Sequence, residues 1–272
     1  MEAEHSFGNW LEKSGRREEV VILSKCGHPD AMWNKRVNEK EMRKDLKKSL
    51  EELKTDYIDI YMLHRDDPDT EVAVAVETFN AMHEEGNIGA FGASNWTHTR
   101  IEEANEYAYK HNLIPFSVSS PNFCLARQVE DPWGGGCVNI SGPENQEARA
   151  WYEKNQMPVI AYASLGRGFF SGRMKSEYAD HAGDYLDSFA MTGYACSDNF
   201  ERLRRCEIIA EKHGVTVAQI AMNWVFSHPL NIFAIASMSK ADRMKANREA
   251  LLLQLSDEEI AYLDPVSYTH LR

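Results

Sequence analysis

Tyr57-Ile58-Asp59-Ile60-Tyr61-Met62-Leu63-His64, then Val72, Val76, Phe79 and Met82, then Gly86-Asn87, then Ile88 through Ser94: this stretch decides the fold. The first run is short, mostly apolar and rich in strand-forming residues, so it predicts a strand. The four apolar residues after it recur at three- and four-residue spacing and predict a helix, which Gly86-Asn87 ends. Ile88 to Ser94 predicts a second strand. Strand, helix and strand in this order make a βαβ unit, whose crossover is right-handed and whose strands run parallel.

The same alternation continues in both directions. Upstream, Val20-Val21-Ile22-Leu23-Ser24-Lys25 predicts a strand. A helix begins near Asn38, a candidate N-cap with Glu41 three residues on, and carries Met42, Leu46, Leu50 and Leu53 on one face. Downstream come a helix from about Thr97 to His111, a strand from Phe116 to Ser120, and a Gly- and Pro-rich excursion from Pro121 to Glu144. A helix around Gln146 to Asn155 leads to a strand from Val159 to Tyr162, and Gly166 to Asp198 reads as irregular. Helices from Phe200 to His213 and from Val217 to Phe226 follow, the second begun by Thr216. Then come a strand from Ile232 to Ala236, a helix from Ala241 to Leu252, and a short terminal helix opened by Ser256. The six strand-plus-helix units suit either an open doubly wound sheet or an incomplete barrel, and periodicity does not choose between them. No G-x-G-x-x-G opens a helix, which counts against a dinucleotide-binding open sheet. Gly134-Gly135-Gly136 follows a Pro-Trp pair and reads as a turn.

Composition narrows the function. The 272 residues are 43% hydrophobic and 26% charged, enough for one large core. A net charge of −12 gives no attraction to nucleic acid or anionic lipid. No apolar run reaches the ~18–20 residues of a membrane span, and Met1 to Glu4 does not read as the start of a signal peptide. The cysteines, Cys26, Cys124, Cys137, Cys196 and Cys206, are odd in number and form no C-x-x-C pair. That argues against a disulfide framework and against zinc, and for reduced thiols in the cytoplasm.

In a parallel barrel the chemistry sits at the carboxyl ends of the strands. Those ends carry Lys25, His64, Ser94-Asn95, Ser120, Tyr162 and the segment from Ser237 to Ser239. Alone, Lys25 reads as a solvated strand end and His64 as a hydrogen-bonded structural histidine. Together on successive strands they point to a site.

Here a family resemblance becomes specific. Val20 to Lys25 resembles the strand that carries the active-site lysine of aldo/keto reductases. Tyr57 to His64 is similar to the family's aspartate–aliphatic–histidine strand, and Phe91-Gly92-Ala93-Ser94-Asn95-Trp96 to its glycine-x-serine-asparagine segment. Ala161-Tyr162-Ala163-Ser164-Leu165-Gly166 resembles the tyrosine-serine-proline-leucine segment, with Ala163 and Ser164 at the serine and proline positions. Ser237 to Asn247 resembles the cofactor-binding loop and helix. Five segments in the family's order cover about Ala3 to Asp264.

The resemblance implies a (β/α)8 TIM barrel and hydride transfer between NADP(H) and a carbonyl or alcohol, with an aldehyde, ketone or sugar as the small-molecule substrate. It implies that Lys25 stabilises charge beside a catalytic tyrosine and that His64 orients the substrate oxygen. Ser94 and Asn95 would bind the nicotinamide carboxamide, and Ser120 stands where the family often has glutamine. Tyr162 would stack on the nicotinamide, and Leu165 would line the pyrophosphate path. Arg243 would contact the 2′-phosphate and Asn247 the adenine, with Ser237, Ser239 and Lys240 nearby, so NADPH is expected over NADH. The alternative for Lys240 and Arg243 is a solvated helix face. Trp33, Trp96 and Phe123 are candidates for a substrate pocket and read equally well as packing.

The family's aspartate-threonine-alanine and tyrosine-glycine segment has no counterpart here, and Glu4 to Leu11 resembles the helix after it. The expectation is therefore a barrel domain over residues 1–264 without the N-terminal hairpin, the first two barrel strands and the first helix. Residues 265–272 would be a foreign tail, and the chain would be impaired because the family's catalytic tyrosine and aspartate are absent. Two other readings stay open: a nucleotide-binding regulatory subunit of the kind that partners potassium channels, and a barrel that binds no nucleotide.

Overall fold

The structure, a computed structural model, describes residues 2–237 and 240–264. The tail 265–272 and Ser239 lie outside the described residues. The chain divides into two compact units, Met1–Ser119 and Ser120–Arg272.

The first unit opens with helix α1 (Glu2–Ser14) and alternates thereafter: β1 (Leu23–Cys26), α2 (Glu39–Leu53), β2 (Ile58–Leu63), α3 (Val72–Glu84), β3 (Ile88–Ser94) and α4 (His98–Lys110). β4 (Val118–Ser120) spans the division. β1, β2 and β3 pair in parallel, with Lys25 opposite Met62 and Leu63 opposite Ala93. His64 and Ser94, each one residue past the Leu63–Ala93 pair, are therefore level with one another, and Lys25 stands two residues short of them. The helices start where side chains meet the free N–H groups of a first turn: Asn38 accepts from Glu41 N, and Thr97 accepts from Arg100 N. α2 and α3 bury Met42, Leu46, Leu53, Val76, Phe79 and Met82. Phe79 stacks on Phe91 at 5.4 Å and meets Phe116 edge-on at 5.9 Å.

β1 and β4 begin two or three residues later than the sequence pattern predicts, for the same reason. Val20 to Ile22 lies outside β1: Ile22 O still accepts from Ile60 N at 3.0 Å, but Ile22 N donates to the Asp59 carboxylate at 2.8 Å, which Arg17 also holds at 2.8 Å. Phe116 likewise is bonded at both backbone groups by the Asn105 side chain, at 2.8 and 3.2 Å. Side chains have taken the hydrogen bonds that a neighbouring strand would supply.

The second unit contains α5 (Gln146–Asn155), β5 (Val159–Ala161), α6 (Ser188–Tyr194), α7 (Ser197–His213), α8 (Val217–Phe226), β6 (Ile232–Ala234), α9 (Ala241–Ala250) and α10 (Asp257–Leu263). β5 and β6 are parallel, with Val159 opposite Ile232. Thr216 and Ser256 each form a full capping box, with Gln219 and Glu259. The stretch from Gly166 to Asp198 is more ordered than its sequence predicts. It holds a 3-10 segment, Ser176–Asp184, and α6, whose N-cap Asp187 accepts from Ala190 N. Seven residues are too few to show helical periodicity.

The Gly134-Gly135-Gly136 turn is built around Asp131. Its carboxylate accepts from Trp133 N at 2.8 Å and Cys137 N at 2.9 Å. All three glycines have positive φ, of 84°, 101° and 75°, a run that side chains with a Cβ rarely adopt.

Candidate active site

In the first unit, the ends of β1 and β2 bring Lys25 and His64 to one cavity of about 460 Å³. Lys25 has no carboxylate partner among the described residues, and burial pulls its ammonium below the usual lysine range. His64 is held more firmly. Its backbone N–H donates to Cys26 O at 2.7 Å, and its carbonyl accepts from Asn95 Nδ2 at 3.0 Å. Burial first, and then the nearby Lys25, His28 and Arg65, push its imidazole down to about 3. At neutral pH it is an uncharged ring with one N–H to donate.

Asn95 adopts a left-handed conformation, φ 61°, which turns the chain sharply at the end of β3. Its amide also donates to Ser94 Oγ at 3.1 Å. Lys25, His64, Ser94 and Asn95 thus stand at the ends of three adjacent strands, and Asn95 is bonded to both Ser94 and His64.

The depressed His64 has a consequence for stability. The unfolded imidazole takes up its proton near 6.5 and the folded one only near 3, so between these values the unfolded state binds more protons. Stability contributed by neutral His64 is present above pH 6.5 and is lost as pH falls through that window. Melting curves from pH 7 to 4 are expected to show a shallower loss of Tm for His64→Gln than for the wild type. Parallel curves would show that His64 is not buried neutral.

The expected substrate-pocket aromatics do not share one environment. Trp33 lies in a turn with φ 61° and is 56% exposed. Trp96 is 1% exposed and packs on Phe116 at 5.5 Å, under Arg100. In the second unit, Phe123 is fully buried against Trp224 and His228. Trp96 and Phe123 serve as packing here.

Also in the second unit, Ser120 is buried and its hydroxyl donates to Ile160 O at 2.7 Å. Tyr162 follows β5, and its ring meets Trp133 edge-on at 5.6 Å. Leu165 begins a tight turn, accepting from Gly168 N and Phe170 N, with Ala163, Gly166 and Arg167 all left-handed. Ser237 is exposed. Lys240 immediately precedes α9, Arg243 lies in its first turn and Asn247 one turn on. Lys240 and Arg243 are exposed and carry no ion pair among the described residues, whereas Lys245 faces Glu249 at 3.8 Å.

Two neighbours were not expected from the sequence. His28 packs its ring against His64, and Trp133 packs against Tyr162. Trp133 stands in the Pro-Trp pair before the glycine turn, and a ring beside three glycines was the available signal.

Parallel strands alternating with helices, and polar side chains gathered at the carboxyl ends of those strands, define an α/β protein of the barrel-enzyme class. The chain belongs to the aldo/keto reductase family, whose profile, described as "Aldo/keto reductase family", matches residues 1–267. The family's members are oxidoreductases. The chain is 25% identical to an aryl-alcohol dehydrogenase of Pestalotiopsis microspora, over 97% of this chain and 65% of that protein. It is 28% identical to the protein tas of Escherichia coli, over 95% of this chain and 78% of that one. It is 27% identical to the aldo-keto reductase yakc [NADP(+)] of Schizosaccharomyces pombe, over 94% and 72%. The chain thus spans about two thirds to four fifths of these relatives. A thermostable aldo-keto reductase crystallised with the inhibitor epalrestat has the same fold, with a TM-score of 0.68 and 23% identity over 96% of this chain and 76% of that one.

Proposed function

We propose that this protein is a carbonyl reductase that moves hydride between NADP(H) and a small aldehyde, ketone or sugar. The observation that carries this reading is the meeting of Lys25 and His64 in one cavity, with Asn95 bonded to the His64 backbone. The nicotinamide supplies the hydride when bound. His64, uncharged at neutral pH, donates its ring N–H to the carbonyl oxygen and so fixes the face presented to that hydride. The Lys25 ammonium stabilises the phenolate left when a phenol acid beside it gives its proton to that oxygen. Ser94 and Asn95 are the carboxamide contacts and Tyr162 the stacking ring. Ser120 is the weakest member of this set, because its proton is already given to Ile160 O. We assign Leu165 and Ser237 to the cofactor as well.

Lys240 and Arg243 suit a phosphate dianion. Neither cation is spent on a carboxylate among the described residues, and they stand at the start of a helix, where the backbone also favours an anion. We assign them to the 2′-phosphate and Asn247 to the adenine, which selects NADPH over NADH. Fluorescence titration of both nucleotides tests this. A charged hydrogen bond is worth about 1.5–3 kcal/mol, so Arg243→Ala should reduce the preference for NADPH roughly 10- to 100-fold. Equal loss of affinity for NADH and NADPH would remove Arg243 from the phosphate site, and no binding of either nucleotide would sink the reading itself.

The proton donor completes the proposal. Among the described residues no tyrosine lines the cavity. We assign the acid to a phenol of the kind the family uses, supplied to the Lys25 and His64 end of the cavity. The free cysteines suit a reducing compartment, the cytoplasm. Among the described residues, no helix is long and apolar enough to cross a membrane.

A further inference from the structure

His28 is exposed, lies in the loop after β1, and belongs to no motif of the sequence, yet it is fixed at every point where a surface histidine is usually free. Gly27 N donates to Asp45 Oδ2 at 3.0 Å, and His28 O accepts from Arg36 Nη1 at 3.1 Å. Arg36 is itself held by Asp45 at 2.6 Å and by Glu41 at 2.7 Å, so α2 grips the backbone on both sides of the residue. The ring is tethered too. His28 Nδ1 lies 2.8 Å from Pro29 O, and a carbonyl only accepts, so Nδ1 carries the hydrogen and donates. With the backbone and one ring nitrogen committed, the imidazole packs edge-on against His64, with centroids 4.6 Å apart and planes at 71°. Both rings line the same cavity.

We propose that His28 is a positioning residue for His64: its tethered ring holds the His64 imidazole against rotation, so that the His64 N–H keeps facing the cavity in which the carbonyl is reduced. The proposal rests on the reductase reading above. The other charged groups at this cavity are Glu4 on α1, Lys25 on β1, Arg36 in the loop, and Asp45 and Lys48 on α2. Glu4 is engaged by Ser24 and Asp45 by Arg36. Among the described residues no carboxylate is paired with either imidazole, so the nearby Lys25, His28 and Arg65 oppose a second proton on His64, adding to the effect of its burial.

The test uses the 272-residue chain with His28→Ala and His28→Phe, the second keeping an aromatic edge without a titratable nitrogen. Two measurements are made. One is imidazole NMR of His64 across pH 4–8. The wild-type His64 signals should be sharp. In His28→Ala they should shift and broaden as the ring begins to reorient, and in His28→Phe they should stay sharp. The second, made on a form of the protein that supplies a phenol acid to the cavity, is steady-state reduction of a carbonyl by NADPH. His28→Ala should lower kcat about tenfold with KM nearly unchanged, and His28→Phe should restore most of it. Sharp, unshifted His64 signals in His28→Ala overturn the proposal, and so does a kcat equal to wild type. Absence of turnover in wild type and variants alike counts against the reductase reading instead, and the NMR measurement then decides whether His28 holds His64.

Discussion

Lys25→Met should lower turnover roughly 10²–10⁴-fold in a form of the protein that supplies a phenol acid to the cavity, the usual scale of general acid catalysis. It should leave KM for the carbonyl nearly unchanged. Lys25 sits at the end of β1, beside His64, with its ammonium drawn down by burial and no carboxylate to compensate. An ammonium in that position acts on a neighbouring phenol by stabilising the phenolate, and so makes a weak acid a usable one near neutral pH. The effect is therefore conditional. In the 272-residue chain, where no tyrosine lines the cavity among the described residues, the same substitution should change turnover by less than about tenfold. Steady-state NADPH oxidation by the two forms, each with and without the substitution, makes the comparison. An equal loss in both would show that Lys25 works on the substrate oxygen directly and not through an acid.

The second large effect is on folding. Gly92 lies in the middle of β3, where a Cβ would collide with the Val118 carbonyl oxygen of the neighbouring backbone. A backbone oxygen cannot swing aside as a flexible side chain would, so the strands must separate. Gly92→Ala should cost about 3 kcal/mol or more, and at ~2–4 °C per kcal/mol it should lower Tm by roughly 10 °C. Gly183→Ala is the control, since its Cβ would meet nothing and its backbone is ordinary. That variant should melt within about 0.5 kcal/mol of wild type. A thermal melt of Gly92→Ala that matches the control would mean that β3 and Val118 are not so closely packed.

Gly92 also shows what the sequence could and could not tell. The motif around it was readable as a motif, but its glycine is required by a backbone that returns 26 residues later, and no local pattern encodes that approach. Features with a local cause were legible. Asn38, Thr216 and Ser256 cap the helices they precede, because a cap is a bond across three residues. β3 and the helices α5 and α8 run as the apolar spacing predicts. The failures have distant causes. Val20 to Ile22 falls out of β1 because Asp59 takes the Ile22 N–H, and Phe116 out of β4 because Asn105 does the same there. The positions of Lys25 and His64 at strand ends followed from the alternating pattern, while the contact of His28 with His64 depends on a loop returned by Asp45 and Arg36. Trp96 and Phe123, equally fit for pocket or core by type, are core because of what surrounds them.

The Asp131 turn bears on how such an enzyme can diversify. One carboxylate closes residues 131–137 into a ring and sets Trp133 beside Tyr162. Both bonds of the Asp131 carboxylate fall within residues 131–137, so the tip of this ring can be rewritten, lengthened or exchanged with that of a relative while the carboxylate still closes the ring. It is a cassette, and a library randomised at Trp133 and its neighbours, with Asp131 and the three glycines kept, would vary what lies against Tyr162 at little cost to the rest of the molecule.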